Sequence, residues 1–577
     1  MRLLSLFLVC LSGQAMAGPA DDQKFKDVSQ REYAWAQIDN GGSADNDSIA
    51  PHLQDVRPAA QAKRLAYLEQ VLADLDTLKP ADLSPSVAVD YAVYRFDIET
   101  RIASQKSRDY EMPANSDSSF WSDLGYTARS PFKTERDYRN WLSQLHEIPL
   151  YFAEQIANMR AGEKRGFAPP RVTLAGRDES VAQVADAKTA EESFLYLPFK
   201  DMPATIPPAT QAAMRAEAKQ AIEQQALPAY RALLTYLRTD YMPHARSTLA
   251  AESLPDGKAW YAQQIKAYAT VDLTPDQIHA IGLDEVAKIH AEMLAVMKQA
   301  GFEGDLPAFL HFLRTDPRFY AKTPQDLLDR AAWTAKLVDG KVGKYIGHLP
   351  RSRFAIVPVP ADIAPFYTAG RGGPGEYLVN TYDLPSRPLY QLPALTLHES
   401  APGHAFQIPL AQENKAAAPF RQNIYISAYG EGWALYCERL GDEMGIYQTP
   451  YERFGMLSYQ MWRASRLVVD TGIHHLGWTR DQALAFLHDN TALSDHEIAT
   501  EVDRYISWPG QALSYYLGEM AIRQGRAKAE AALGPKFNIR AFHDAVLELG
   551  SVPLPVLTAR IDRFIAEGGK GPYPDEE

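Results

Sequence analysis

Two histidines stand six residues apart in the run LPALTLHESAPGHAFQ: His398 and His404, with Glu399 directly after the first. A later run, YGEGWALYCERLG, carries Glu431 and Glu438. Imidazole and carboxylate groups are ordinary zinc ligands, and a hydrolytic zinc site takes three of them and leaves a fourth position for water. A further carboxylate beside that water accepts its proton once the metal has lowered the water's pKa. On that chemistry His398 and His404 are two ligands, Glu399 is the base, and a downstream glutamate is the third ligand. Glu431 follows His404 by 27 residues, which is room for a helix, a turn and the start of a second helix. Glu438 shares a helix face with Glu431 but lies about 10 Å further along the axis, so the two cannot hold one ion. Glu438 is therefore expected to pair with a base or to support a ligand from behind.

The histidine spacing is wider than the H-E-x-x-H pattern, in which both imidazoles leave one helix face. On an unbroken helix six steps leave the two about 120° apart. Pro402 lacks a backbone donor and clashes with the preceding turn, and Gly403 relaxes the chain further. A looped-out turn at Ala401–Gly403 is expected to swing His404 back toward His398. The plain alternative is a helix end whose polar groups sit in solvent. Glu431 weighs against it, because a carboxylate in a largely apolar, aromatic helix needs a partner.

Two other polar sets attract notice. Asp470 and His474 are four apart in RLVVDTGIHHLGW and share a helix face. They read either as a carboxylate-oriented histidine lining a cleft or as a local pair stabilising a helix. Arg504 in EVDRYISWPG reads as a clamp for a substrate carboxylate or as one half of an ion pair.

The elements that must position these groups are mostly helical. AKRLAYLEQVLADLDTL sets Leu65, Leu68, Val71, Leu72 and Leu75 on one apolar stripe. RNWLSQLHEIPLYFAEQIANMRAG and IHAIGLDEVAKIHAEMLAVMKQAG repeat the pattern and each end at a glycine, a common helix terminator. After Lys344 the pattern changes. RFAIVPVP and GEYLVNTYD read as strands, with the glycine-rich loop YTAGRGGPG between them. Helix returns at Leu389. The division expected is a helical lobe over residues 18–340, then a metal-site lobe over 341–577 with the small sheet and the C-terminal helices, the two forming one catalytic unit.

Composition narrows the function. The 577 residues include 59 basic and 72 acidic ones, a formal charge of −13, which excludes the basic footprint of a nucleic-acid binder. Two cysteines exclude a disulfide framework or a cysteine-rich zinc module. The opening MRLLSLFLVCLSGQAMAG has one early charge, a short apolar run and the small residues Ala15 and Ala17, the three parts of a secretory signal peptide over residues 1–17. Phe7, Leu8 and Val9 before Cys10 lack the small residues of a lipoprotein site. A soluble periplasmic protein without membrane insertion is expected.

The runs from GEYLVNTYD through HESAPGH, EGWALYCERLG, RASRLVVDTGIHHLGW and RYISWPGQALSYYLGEM resemble the bacterial family called domain of unknown function 885, most strongly from about Gly375 to Val556. That family is similar to the gluzincin metallopeptidases, the group of thermolysin, neurolysin and angiotensin-converting enzyme. The resemblance implies a mainly α, two-lobed helical metallopeptidase-like body with a small sheet beside the metal-binding helix and a deep central cleft. It implies one zinc ion on His398, His404 and Glu431, with Glu399 as general base. The two extra residues before His404 depart from the group's motif; dipeptidyl peptidase III carries one extra residue there and accommodates zinc. The resemblance further implies an oxyanion-stabilising tyrosine on a late helix, Tyr515 rather than Tyr516. By the same analogy the strand from Tyr377 to Asn380 is the edge that pairs with an extended substrate. The activity implied is hydrolysis of short unfolded peptides. The rivals are a metal-free periplasmic peptide-binding protein on a peptidase scaffold, and a zinc amidase acting on a non-peptide or cell-wall substrate.

Overall fold

Apolar stripes at helical spacing become helices bounded by identifiable signals. The computed structural model describes residues 19–43, 47–115, 118–361, 363–415 and 417–574; the leader read at residues 1–17 lies outside them. Helices α1 (Pro19–Asp39), α2 (Pro58–Asp76) and α3 (Pro85–Ser107) bury Phe25, Leu68, Val71, Leu75, Tyr94 and Ile98 against one another. Helix α4 (Glu135–Arg165) starts at a capping box in which Thr134 and Asp137 satisfy each other's backbone donors. It runs through Gly162 and stops at Gly166, whose φ of 80° is left-handed. Gly162 serves packing instead: a Cβ there would stand 2.6 Å from the Glu111 carbonyl oxygen. Helix α5 (Pro275–Gln299) is capped in the same manner by Thr274 and Gln277.

The sheet has three short strands: β1 (Ala355–Pro358), β2 (Gly370–Gly373) and β3 (Glu376–Val379). Their order is β1-β3-β2, with β3 parallel to β1 and antiparallel to β2. Two expectations are corrected here. The tract YTAGRGGPG is not wholly loop, because Gly370–Gly373 forms β2. The strand carrying Tyr377 is not an edge: β3 is central, with both sides of its backbone paired. Glycine carries little strand propensity of its own, so β2 exists by virtue of its pairing with β3.

The site elements follow: α6 (Leu392–Glu399), α7 (His404–Glu413), α8 (Ser427–Glu443), α9 (Pro450–His474), α10 (Asp495–Ser507) and α11 (Ser514–Leu533). Every residue of α9 from Phe454 to His474 is buried, the condition of a helix surrounded by protein on all sides. One large core joins Ile289 and Met293 of α5 with Tyr377, Leu457, Leu467 and Tyr516, so apolar packing runs across residue 340. Separate cores gather around Trp141 and Tyr230, and around Leu397, Trp433 and Phe542. Among the described residues no helix is long and apolar enough to cross a membrane.

Candidate metal centre

Helix α6 is buried along its whole length and delivers His398 and Glu399 from its last turn. Ser400 leaves helical geometry, and α7 starts afresh at His404, so the chain between them is the looped-out turn that Pro402 demands. Gly403 folds back to donate its N–H to the Leu397 carbonyl at 3.1 Å. A Cβ at Gly403 would stand 1.9 Å from the His398 carbonyl oxygen, so this turn admits only glycine. The result brings the two imidazoles together with ring centroids 4.9 Å apart and planes at 83°.

Glu431, on the first turns of α8, meets both. Its Oε2 lies 3.4 Å from His398 Nε2 and 3.3 Å from His404 Nε2. The ligand atoms of His398, His404 and Glu431 all lie within 4.8 Å of one another, a group that could hold a metal ion. Behind His398, the wholly buried Glu438 accepts a hydrogen bond from Nδ1 at 2.8 Å, and the Arg463 guanidinium stands 3.9 Å from the same carboxylate oxygen. That bond fixes the ring and leaves Nε2 facing the group. His404 Nδ1 is buried and has no hydrogen-bond partner among the described residues. Two imidazole nitrogens and one carboxylate oxygen are a donor set that suits zinc.

The electrostatics follow from packing. Burial, the largest single influence on His398, opposes its charge, but the hydrogen bonds to Glu431 and Glu438 outweigh it and push its pKa up to about 9. Burial likewise works to raise Glu431, yet His404 and His398 hold it well below the usual carboxylate range. A bound metal ion would displace the protons that these pairs otherwise share.

Glu399 is held from the sheet. The Gly372 N–H donates to Glu399 Oε2 at 2.7 Å. The β2–β3 register makes Gly372 a non-hydrogen-bonded position opposite Tyr377, so its N–H and C=O point away from β3 toward the open side of β2. A Cβ at Gly372 would stand 1.7 Å from the Glu399 carbonyl oxygen. The edge beside the metal group is therefore β2, with glycine at 372 because the strand and helix backbones touch there.

Tyr515 opens α11 and sets its ring nearly parallel to His398 at 6.5 Å, with the Arg466 guanidinium 4.3 Å over it. Its placement depends on Gly518, one turn on, where a Cβ would stand 1.9 Å from the Ala428 carbonyl of α8. Tyr516 points away, its hydroxyl donating to Glu285 at 2.7 Å.

Other sequence-derived residues have different surroundings. Tyr377 is fully buried in the core. Asn380, also fully buried, donates its amide to the carbonyls of Ala364, Tyr367 and Thr368 and so shapes the loop before β2. Asp470 and His474 are wholly buried and do not pair with each other. Asp470 accepts from the Tyr261 hydroxyl at 2.6 Å and from the Gly510 N–H. His474 Nδ1 accepts from the Ala251 N–H, and Nε2 donates to the Tyr505 carbonyl. Burial lifts Asp470 to about 7 and pulls His474 down to about 3. Arg504 donates to Gln511 Oε1 at 2.5 Å and ion-pairs with Glu501.

Three residues at the site, Gly372, Arg463 and Tyr425, carry no motif or spacing that marks them in the sequence. The Tyr425 hydroxyl donates to Glu431 Oε1 at 3.0 Å. Its nearest sequence signal is position, six residues before the glutamate and just ahead of its helix.

No curated protein matches this chain. The crystal structure of a candidate lipoprotein from Colwellia psychrerythraea aligns with a TM-score of 0.87 at 25% identity, covering 96% of this chain and 100% of that one. A second structure, a candidate lipoprotein of unknown function from Shewanella oneidensis, aligns with a TM-score of 0.68 at 19% identity over 94% of this chain and 99% of that one, a likeness of fold. With residues 40–561 matched, the chain belongs to the family described as bacterial protein of unknown function, DUF885.

Proposed function

We propose that this protein is a zinc-dependent hydrolase of short, unfolded peptides in the cell envelope. The observation that carries the reading is the convergence of His398 Nε2, His404 Nε2 and Glu431 Oε2 directly beside Glu399. Bound on those three residues, zinc would polarise a substrate carbonyl and lower the pKa of water.

The chain's own groups supply the rest. Glu399, tethered through one oxygen by Gly372, accepts the proton of the attacking water and returns it to the leaving amine. The Tyr515 hydroxyl donates toward the oxygen on which negative charge develops. With the Gly372 N–H taken by Glu399, the Gly370 N–H and the Gly372 carbonyl are the outward groups left for an extended peptide to add along the open side of β2. The buried Glu438 and Arg463 keep His398 from rotating. A location in the envelope draws support from the leader-like opening and from relatives described as candidate lipoproteins.

The test is elemental analysis of the purified protein followed by a peptide-library cleavage assay, run beside Glu399→Gln. About one zinc per chain, retained in Glu399→Gln while cleavage is lost, is expected. A protein that neither carries nor takes up metal sinks the hydrolase reading.

A further inference from the structure

Glu431 has two oxygens with different company. Oε2 faces both imidazoles, while Oε1 accepts a hydrogen bond from the Tyr425 hydroxyl at 3.0 Å. A carboxylate free at both oxygens can close on a cation with both. One whose second oxygen is hydrogen-bonded offers a single donor. Three donors leave a position open for water or substrate, and a fourth would begin to fill it.

We infer that Tyr425 is a positioning residue that holds Glu431 to one-oxygen ligation and so keeps the metal's reacting position open. This rests on the metal reading above.

The fold fixes Tyr425 for that role from two sides. Its chain neighbour Ile426 is buried, and the Ile426 N–H donates to Ser551 Oγ at 2.7 Å, which pins the backbone. Its ring lies across Gly430. A Cβ there would meet Tyr425 Cε2 at 2.5 Å, and Cζ and the hydroxyl oxygen at 2.6 Å. Gly430 precedes Glu431, so the residue that makes room for the ring sits beside the carboxylate the ring restrains. The ring centroid lies 6.5 Å from that of His404. Tyr425 is still 47% exposed, far more than an aromatic kept only for packing. The residue therefore borders the solvent side while its hydroxyl reaches in to Glu431.

The test replaces zinc by cobalt(II), whose visible absorption weakens as ligands are added, and compares wild type, Tyr425→Phe and Gly430→Ala at saturating cobalt. Tyr425→Phe keeps the ring and deletes the donor. Gly430→Ala keeps the hydroxyl and displaces it. Both are expected to lose absorption by about threefold as the second carboxylate oxygen enters, and peptide-cleaving kcat by about 10–100-fold. Tyr515→Phe, which leaves Glu431 untouched, is expected to keep the wild-type spectrum. Wild-type intensity in Tyr425→Phe, or its failure to bind cobalt, overturns the inference; if Gly430→Ala misfolds, Tyr425→Phe alone decides. A wild type that takes up no cobalt counts against the metal reading itself.

Discussion

Among the described residues, two sets of buried histidines with carboxylates close by do opposite things. At His398, His404 and Glu431 the side-chain donors turn toward one another and toward a common point. At Asp470 and His474 they turn apart, and backbone groups or a core tyrosine take them up. The first place concentrates charge that only a proton or a cation can balance. The second spreads its polar atoms over the segments at Ala251, Tyr505 and Gly510 and holds those together. Burial is common to both, so burial does not mark a site. What separates them is whether each nitrogen already has a backbone partner.

The strongest way to break the comparison is to remove one carboxylate from each place. Glu431→Ala is expected to take zinc from about one per chain to near none, and with it all cleavage. Asp470→Ala is expected to keep its zinc and lose about 2–4 kcal/mol of stability, because the buried Tyr261 hydroxyl and Gly510 N–H lose their acceptor. Metal content beside a denaturant midpoint reads both. A metal-free Asp470→Ala that remains folded would erase the distinction.

Within the first place, binding and chemistry should separate. Glu399→Gln, its amide still able to accept from Gly372, is expected to retain zinc while kcat falls by about 10²–10⁴-fold. Glu438→Gln should act on the metal instead, weakening zinc about 10–100-fold in a competition titration, since a neutral amide no longer holds the Nδ1 proton as firmly. Equal zinc affinity in wild type and Glu438→Gln would make Glu438 a packing residue.

That His398, His404 and Glu431 could form a metal-holding group was legible because such chemistry is written in residue types. Two histidines, an adjacent glutamate and a glutamate in an apolar helix have few other uses, and Pro402–Gly403 announced the break that reconciles their spacing. The helices were legible through apolar period, though Gly162 shows that a glycine can be kept for close approach inside a helix rather than at its end. β2 was not legible. GRGG carries no strand pattern, and its pairing depends on β3, which is close in sequence but announces nothing about which side it leaves open. The same blindness made Tyr377 and Asn380 look like an edge. Asp470 and His474 misled because spacing gives a shared helix face without telling whether that face meets a cleft or a core. Tyr425 left no periodic mark, being a tyrosine in a connecting segment whose partner is set only by tertiary packing.

The subtlest difference concerns pH, and it lies within the second place. Asp470 keeps its proton in the folded protein up to about pH 7, against about 4 in an unfolded chain. Its contribution is therefore full below about pH 4 and is lost as pH rises toward 7. His474 stays neutral when folded down to about pH 3, against about 6.5 unfolded. Its contribution is full above about 6.5 and is lost as pH falls. Between about pH 4 and 6.5 the two slopes oppose, each about 1.4 kcal/mol per pH unit, so the pair is nearly silent in the wild type. Single substitutions should unmask them. Relative to wild type, the stability of Asp470→Asn should climb with pH across that window, and that of His474→Gln should fall, each by about one proton's worth. Denaturant unfolding at half-unit steps from pH 4.5 to 6.5 measures both. Three parallel curves would mean that neither group changes its proton occupancy on folding, and that the contrast with the metal group lies in geometry alone.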